Sequence, residues 1–306
     1  MLDQIPFFTF SKLSFFVPNP PGGLFFCGAL EFYDKSFNRL NPKNDHRLER
    51  FKFRNFFEVT TTDDRVIRRF ANEEDKTVVF ATDSILSTLR CAPRSVYSCD
   101  IVIHHIGNKH FFHKRNGSEF DLNFSQQVLR DGNKVVFDEP NLFALEREET
   151  AFVAYRYRRW KIDQDTYLIA RCEVHSVVDV RGQQKLETKR GVVLATELKN
   201  NANKLAKWTA QALHAEADLM KIGYVSRVHP RDHFNHVILS AIGHKKKDFA
   251  AQINLNTSNM RGIVKSIVDL CMKLNEGENR ADGEAIDVEV GVGEDDANKD
   301  ASDSIA

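Results

Sequence analysis

Glu197 and Lys199 stand two residues apart in Ala195-Thr-Glu-Leu-Lys-Asn-Asn201, a spacing that sets a carboxylate and an ammonium on one face of a strand. With Glu173 they form a pattern used by phosphodiester-cleaving enzymes, where strand carboxylates hold a divalent metal that steadies an attacking water. Such a site needs a further carboxylate, normally as an acidic pair on a neighbouring strand. Between Glu173 and Glu197 the chain offers Asp179 and Glu187, and neither belongs to a carboxylate-x-carboxylate pair. The expectation is therefore no catalytic residue, no metal and no cofactor. A strand-end ion pair accounts for Glu197 and Lys199 without chemistry.

Tyr155-Arg-Tyr-Arg-Arg-Trp160 alternates aromatic and cationic side chains. Strand geometry puts Tyr155, Tyr157 and Arg159 on one face and Arg156, Arg158 and Trp160 on the other. Aromatic rings stack on bases and guanidiniums meet phosphates, so Arg156, Arg158 and Arg159 are candidate RNA contacts. The competing reading is a strand with one aromatic face in the core and its arginines on the surface. His104, His105, His110 and His113 fall on one hairpin, but neighbouring histidines of a strand face opposite ways. They make a poor metal cage and are expected at the surface, as is the basic loop Lys245-Lys-Lys247.

The elements that carry these residues follow from periodicity. Gly191 to Leu198 is a short apolar, β-branched run, and Asn200-Asn201 turns the chain out of it. Leu205, Trp208, Ala212 and Leu213 then recur at helical spacing, and Ile222 to Val228 reads as a strand. A strand–helix–strand unit of that length suits a parallel crossover. Asp63-Asp64 opens a helix with Val66, Ile67 and Phe70 on its apolar face, and Thr82-Asp83 caps another over Ser84 to Leu89. Strands are predicted at Phe25–Tyr33, Phe51–Thr62, Val78–Ala81, Asp100–Ile106, His110–Lys114, Phe152–Trp160, Tyr167–Glu173 and His236–Ile242. A last helix runs to Leu274 with Ile263, Ile267, Leu270 and Cys271 on its stripe. The fold class is α+β, with strand-rich mixed sheets and flanking helices.

Composition sets the limits. With 306 residues, 42% hydrophobic content and a mean hydropathy of −0.41, the chain can bury a core, and no run of 18 apolar residues crosses a membrane. Five scattered cysteines without C-x-x-C suit reduced thiols in cytosol or nucleus and argue against structural zinc. The zero net charge hides an asymmetry, because residues 276–306 hold 11 acidic and 2 basic side chains. Residues 1–275 are expected to be one basic domain, and 276–306 a disordered acidic tail.

Several stretches together are diagnostic. Thr60-Thr-Thr-Asp-Asp64, Phe80-Ala-Thr-Asp83, Arg94-Ser-Val-Tyr97, Ala154-Tyr-Arg-Tyr-Arg-Arg-Trp160, Arg171-Cys-Glu173, Ala195-Thr-Glu-Leu-Lys-Asn-Asn201, Gly223-Tyr-Val-Ser-Arg227 and Ala251-Gln-Ile-Asn-Leu255 resemble the D subunit of eukaryotic translation initiation factor 3. They run in order across that family's cap-binding domain. The resemblance implies a fold similar to the 5′-end decapping exonucleases and recognition of the mRNA methylguanosine cap. Asp83, Val96 and Tyr97 match the family's cap-contacting positions. Glu173, Glu197 and Lys199 become the remnant of a degenerate nuclease-like site.

Four departures from the family stand out. The long N-terminal region that contacts other initiation factor 3 subunits is absent, as is a flap segment between Leu122 and Asn123. A segment before Gln183 is also missing, and Cys99 replaces a tryptophan. The function expected is non-catalytic cap binding, with capped mRNA and the other factor subunits as partners and no membrane. Loss of the flap keeps open an interaction-only paralogue without cap affinity. A metal-dependent RNA 5′-end hydrolase is the third class, which the missing acidic pair argues against.

Overall fold

The computed structural model describes residues 12–14, 22–48, 59–95, 99–114, 130–136, 153–176, 201–229, 231–232, 235–276 and 285–290. Its strands are β1 (Gly22–Tyr33), β2 (His46–Arg47), β3 (Thr77–Thr82), β4 (Cys99–Ile106), β5 (Lys109–Lys114), β6 (Arg130–Val136), β7 (Ala154–Lys161), β8 (Thr166–Val174), β9 (Leu219–Arg227), β10 (His236–Lys245) and β11 (Ala285–Val290). Its helices are α1 (Arg65–Glu73), α2 (Asp83–Arg90), α3 (Ala202–Ala215), α4 (Lys246–Gln252) and α5 (Thr257–Glu276).

Eight strands form one mixed sheet in the order β11-β4-β5-β3-β8-β7-β1-β6, and β2-β10-β9 form a second. β3 runs parallel to both its neighbours, β5 and β8, while the other described pairings are antiparallel. Val78, Val79, Phe80 and Ala81 are fully buried, because both sheet faces are covered there. On one face Val79 and Ala81 join Leu86, Leu89, Ile263 and Ile267 of α2 and α5. On the other, Val78 and Phe80 join Val66, Ile67, Phe111 and Tyr157. A third cluster packs Leu205, Ala206 and Ala210 of α3 on Met220, Ile222 and Phe249. Gly28 of β1 has φ 101°, and a Cβ there would sit 2.3 Å from the Val153 carbonyl oxygen, so only glycine fits.

The α+β architecture agrees with the sequence reading, and several details differ from it. Trp208 lies on the solvent side of α3, 42% exposed, where periodicity places it on the buried stripe. His110 and His113 are buried, because β5 has neighbours on both sides and both faces covered. Lys246 and Lys247 begin α4 rather than a loop. The expected disorder of 276–306 does not hold for Ala285–Val290. There Ile286, Val288 and Val290 alternate with Asp287 and Glu289, the period of a strand, and β11 pairs antiparallel with the edge of β4. The predicted strand Gly191–Leu198 lies outside the described residues, and β9 pairs antiparallel with β10.

One buried carboxylate ties α1 to the sheet. Asp64, with no exposed surface, caps α1 by accepting from the Val66 and Ile67 amides at 2.9 and 3.1 Å. Its Oδ2 accepts from Tyr157 Oη at 2.9 Å and Arg171 Nη1 at 2.8 Å, and Arg171 Nη2 donates to the Val59 carbonyl at 2.8 Å. Burial and the Asp64 charge push the Tyr157 phenol above its ordinary pKa. Removing one partner of such a pair strands the other charge. Asp64→Ala is expected to lower the unfolding free energy by about 3–5 kcal/mol, and Tyr157→Phe by about 1 kcal/mol. Urea denaturation reads both, and equal losses for the two variants would show that the ion pair contributes nothing beyond one hydrogen bond.

Candidate functional site

β3 ends at Thr82, and the chain turns there into α2. Thr82, not Asp83, is the helix cap, its Oγ1 accepting from the Ile85 amide at 3.3 Å. That frees the Asp83 carboxylate for the neighbouring parallel strand, where Oδ2 accepts from the Glu173 amide at 3.0 Å. The register that pairs Thr82 with Arg171 sets Glu173 two residues further along β8, beside the start of α2. His175 Nε2 lies 3.0 Å from Glu173 Oε1. Asp83, Arg171, Glu173 and His175 therefore meet where β3 and β8 end.

Two neighbouring carboxylates cannot both ionise freely. Burial, and then the Glu173 charge, raise the Asp83 carboxyl from 3.8 to about 7; the Glu173 amide, His175 and Arg171 pull the other way. Burial also acts to raise Glu173, but the His175 hydrogen bond and charge, with Arg171, outweigh it and hold its pKa below the ordinary value. The pair thus divides its roles, Glu173 giving up its proton readily and Asp83 holding its own more tightly.

The other predicted residues distribute unevenly. Val96, Tyr97, Glu197 and Lys199 lie outside the described residues. Arg156 and Arg158 share one face of β7 and reach the end of α3, while Arg159 lies on the other face with its side chain 40% exposed. Arg158 Nη1 donates to the His214 carbonyl at 2.7 Å, and its Nη2 is 2.7 Å from Glu216 Oε2, with the side chain 3% exposed. Arg156 Nη1 donates to the Ala215 carbonyl at 2.7 Å. These two guanidiniums satisfy the last carbonyls of α3, at the negative end of its dipole. Arg159 pairs with Glu74 at 2.9 Å and lies 4.6 Å from the Tyr167 ring centroid. The sequence reading missed His175, although its i+2 spacing from Glu173 in a strand is visible in the chain.

Asp83 accepts from the Glu173 amide and Glu173 is engaged by His175, while the third predicted carboxylate, Glu197, lies outside the described residues. Among the described residues, no three His, Cys, Asp or Glu side chains come together as ligands.

The raised Asp83 carboxyl has a consequence for stability. Between pH 4 and 7 the folded protein keeps a proton that the unfolded chain has released, so this group's contribution falls as pH rises through that window. Glu173, with its lowered pKa, acts in the opposite sense and only at more acidic pH. Asp83→Asn is expected to raise the melting temperature at pH 8 and to leave it unchanged at pH 4. Thermal melts at both values test this, and an equal shift at the two would locate the effect outside ionisation.

The chain matches the family profile described as eukaryotic translation initiation factor 3 subunit 7 (eIF-3) over residues 1–123, 122–184 and 181–279. The D subunit of eukaryotic translation initiation factor 3 from Arabidopsis thaliana is 60% identical over 334 aligned residues, covering 91% of this chain and 56% of the relative. Its Homo sapiens counterpart is 40% identical, with 90% and 61% covered. The chain thus spans little more than half the length of these relatives. In structure it is similar to S. pombe Rai1 (TM-score 0.54, 10% identity, 93% of this chain and 95% of that one). It is also similar to Candida albicans Rai1 in complex with pU5-Mn2+ (TM-score 0.54, 10% identity, 94% and 90%). At such low identity these likenesses establish the fold, that of Rai1. Sequence identity across nine-tenths of its length establishes the family: the chain belongs to the eukaryotic translation initiation factor 3 subunit 7 family, whose matched relatives are named as the factor's D subunit.

Proposed function

We propose that the chain acts in translation initiation as a module of the D-subunit type that binds the methylguanosine cap of mRNA without cleaving it, alongside other subunits of initiation factor 3 in the cytoplasm. The observation that carries this reading is the carboxyl pair Asp83 and Glu173 where β3 and β8 end. A methylated guanine is cationic, and two neighbouring carboxyl groups suit it. Asp83 uses one oxygen to accept the Glu173 amide, and a carboxylate has further acceptor sites for the guanine edge. Tyr97, from the segment just ahead of β4, supplies a ring face for the cationic base.

The interaction-only reading draws on one observation. The alignment with the Arabidopsis relative is 334 residues long, longer than this whole chain, so the relative carries internal residues with no counterpart here. Capped and uncapped RNA of one sequence separate the two readings. Cap binding predicts tighter retention of the capped strand, with both strands recovered intact in the presence of magnesium or manganese. Tyr97→Ala is expected to weaken only the capped complex, by about one to two orders of magnitude, the worth of a lost base stack. The advantage of the capped strand is expected to grow as pH rises through about 7, where Asp83 becomes a full acceptor, and to lose that dependence in Asp83→Asn. Equal affinity for the two RNAs in the unmutated protein would leave the interaction-only paralogue.

The acidic end bears on RNA binding through its charge. β11 runs antiparallel to β4 with Val290 opposite Cys99, and residues 291–306, which follow it in the chain, hold 5 acidic and 1 basic side chain. Deleting 291–306 keeps β11 and removes that negative charge. RNA affinity at low salt is expected to rise, and the gain to vanish as salt screens the competition. A salt series on the two chains decides, and superimposable curves would dismiss the competition.

A further inference from the structure

We propose that the exposed face of α3 binds single-stranded RNA, with a base stacked on Trp208 and neighbouring phosphates on Lys204 and Lys207. It rests on the reading of this chain as an mRNA-handling module and adds a second contact surface to it. Trp208 is 42% exposed, the most exposed aromatic ring among the large apolar side chains described at the surface. Lys204, one helical turn earlier, sets its ammonium 4.9 Å from the ring centroid. Helical spacing puts Lys204, Lys207, Trp208 and Gln211 on one stripe, and α3 contains no Asp or Glu in its fourteen residues.

Cys91, at the end of α2, packs with Leu205, Ala206 and Ala210 from the opposite side of α3. Its thiol is pushed up to about 12 by burial, against the charges of Arg94, Lys207 and Arg90. Arg94 is anchored there by the Ile253 and Asn254 carbonyls at 3.0 and 2.5 Å. From Arg94 the chain passes through Ser95 to Val96 and Tyr97.

Chemistry favours RNA over a protein partner. A protein-binding tryptophan is normally ringed by other apolar side chains, whereas Trp208 shares its stripe with two lysines and a glutamine. An aromatic ring flanked by cations is the pattern of a sequence-tolerant single-strand platform.

The protein carries its own probe. It has two tryptophans, and Trp160 is 8% exposed, so solvent-dependent quenching of its fluorescence reports Trp208. Titration of the full chain with an uncapped ten-nucleotide oligouridylate should quench saturably at low salt. A labelled form of the same oligomer, followed by polarisation, should bind Trp208→Ala about tenfold more weakly. Trp208→Phe, which keeps a ring, should restore most of that affinity, and all variants should melt with the parent because the site is exposed. Lys204→Ala and Lys207→Ala should each flatten the salt dependence by about 0.7 in slope, one phosphate apiece. Heparin, a polyanion without bases, should bind independently of residue 208. Unchanged oligomer affinity in Trp208→Ala, or an equal loss for heparin, would overturn the assignment. The ratio of capped to uncapped affinity should be the same in Trp208→Ala and the parent. A ratio of one in the parent rejects the cap site alone, and the α3 face is then judged on the uncapped oligomer.

Discussion

Every feature near Asp83 depends on the complete exclusion of water from both sides of β3. Val78 to Ala81 have zero exposure, with parallel neighbours on either edge and helices over either face. A strand so enclosed cannot slip by one residue without moving Phe80 from one core to the other. The end of β3 is therefore fixed against the end of β8, and the first turn of α2 is delivered to Glu173. A carboxylate held between a buried strand end and a helix start loses water and gains a backbone amide in its place. Its affinity for a proton, and for a cationic ligand, follows from that placement.

The helix α3 is held by a different physical principle. A helix end leaves carbonyls without partners, and here two strand arginines reach them from below. The pattern Tyr-Arg-Tyr-Arg then has a double meaning. Tyr155 and Tyr157 fill the core on one face of β7, while Arg156 and Arg158 close the end of α3 on the other. An arginine engaged in this way is committed to the helix that it supports.

Local signals in the sequence are legible wherever a single element decides them. The apolar run of β3, the Asp64 cap, the stripe of α5 and the alternation in β7 are all dictated by neighbours in sequence. What depends on partners far along the chain is not. Periodicity alone cannot tell which side of α3 faces the sheet, so it sets Trp208 in the core. Thr82 and Asp83 are both good caps, and only the register of β8 shows why the threonine takes that role and the aspartate does not. β11 is hidden by its composition, since acidic residues and glycines flank six residues that pair only because β4 offers a free edge. Of the candidate site, the motif residues are visible individually. Their meeting is not, because Asp83 and Glu173 are separated by 90 residues and joined only by parallel pairing.

The order in which the strands appear has a consequence for synthesis. β3 pairs with β8 through Thr77 and Thr166, and β1 pairs with β7 through Gly22 and Arg159. When β3 leaves a ribosome only α1 is available to cover one of its two apolar faces, and the strands that pair with its edges are still untranslated. At about 5–20 residues per second the wait for β8 is roughly 5–20 seconds. During that interval a six-residue segment of Val, Phe, Ala and Thr without charge or proline is open to strand pairing with other chains. The flanking Glu73, Glu74, Asp75 and Lys76 on one side and Asp83 on the other are charged sentinels at its two ends. Asp83 thereby guards the nascent strand before it has a folded site to belong to.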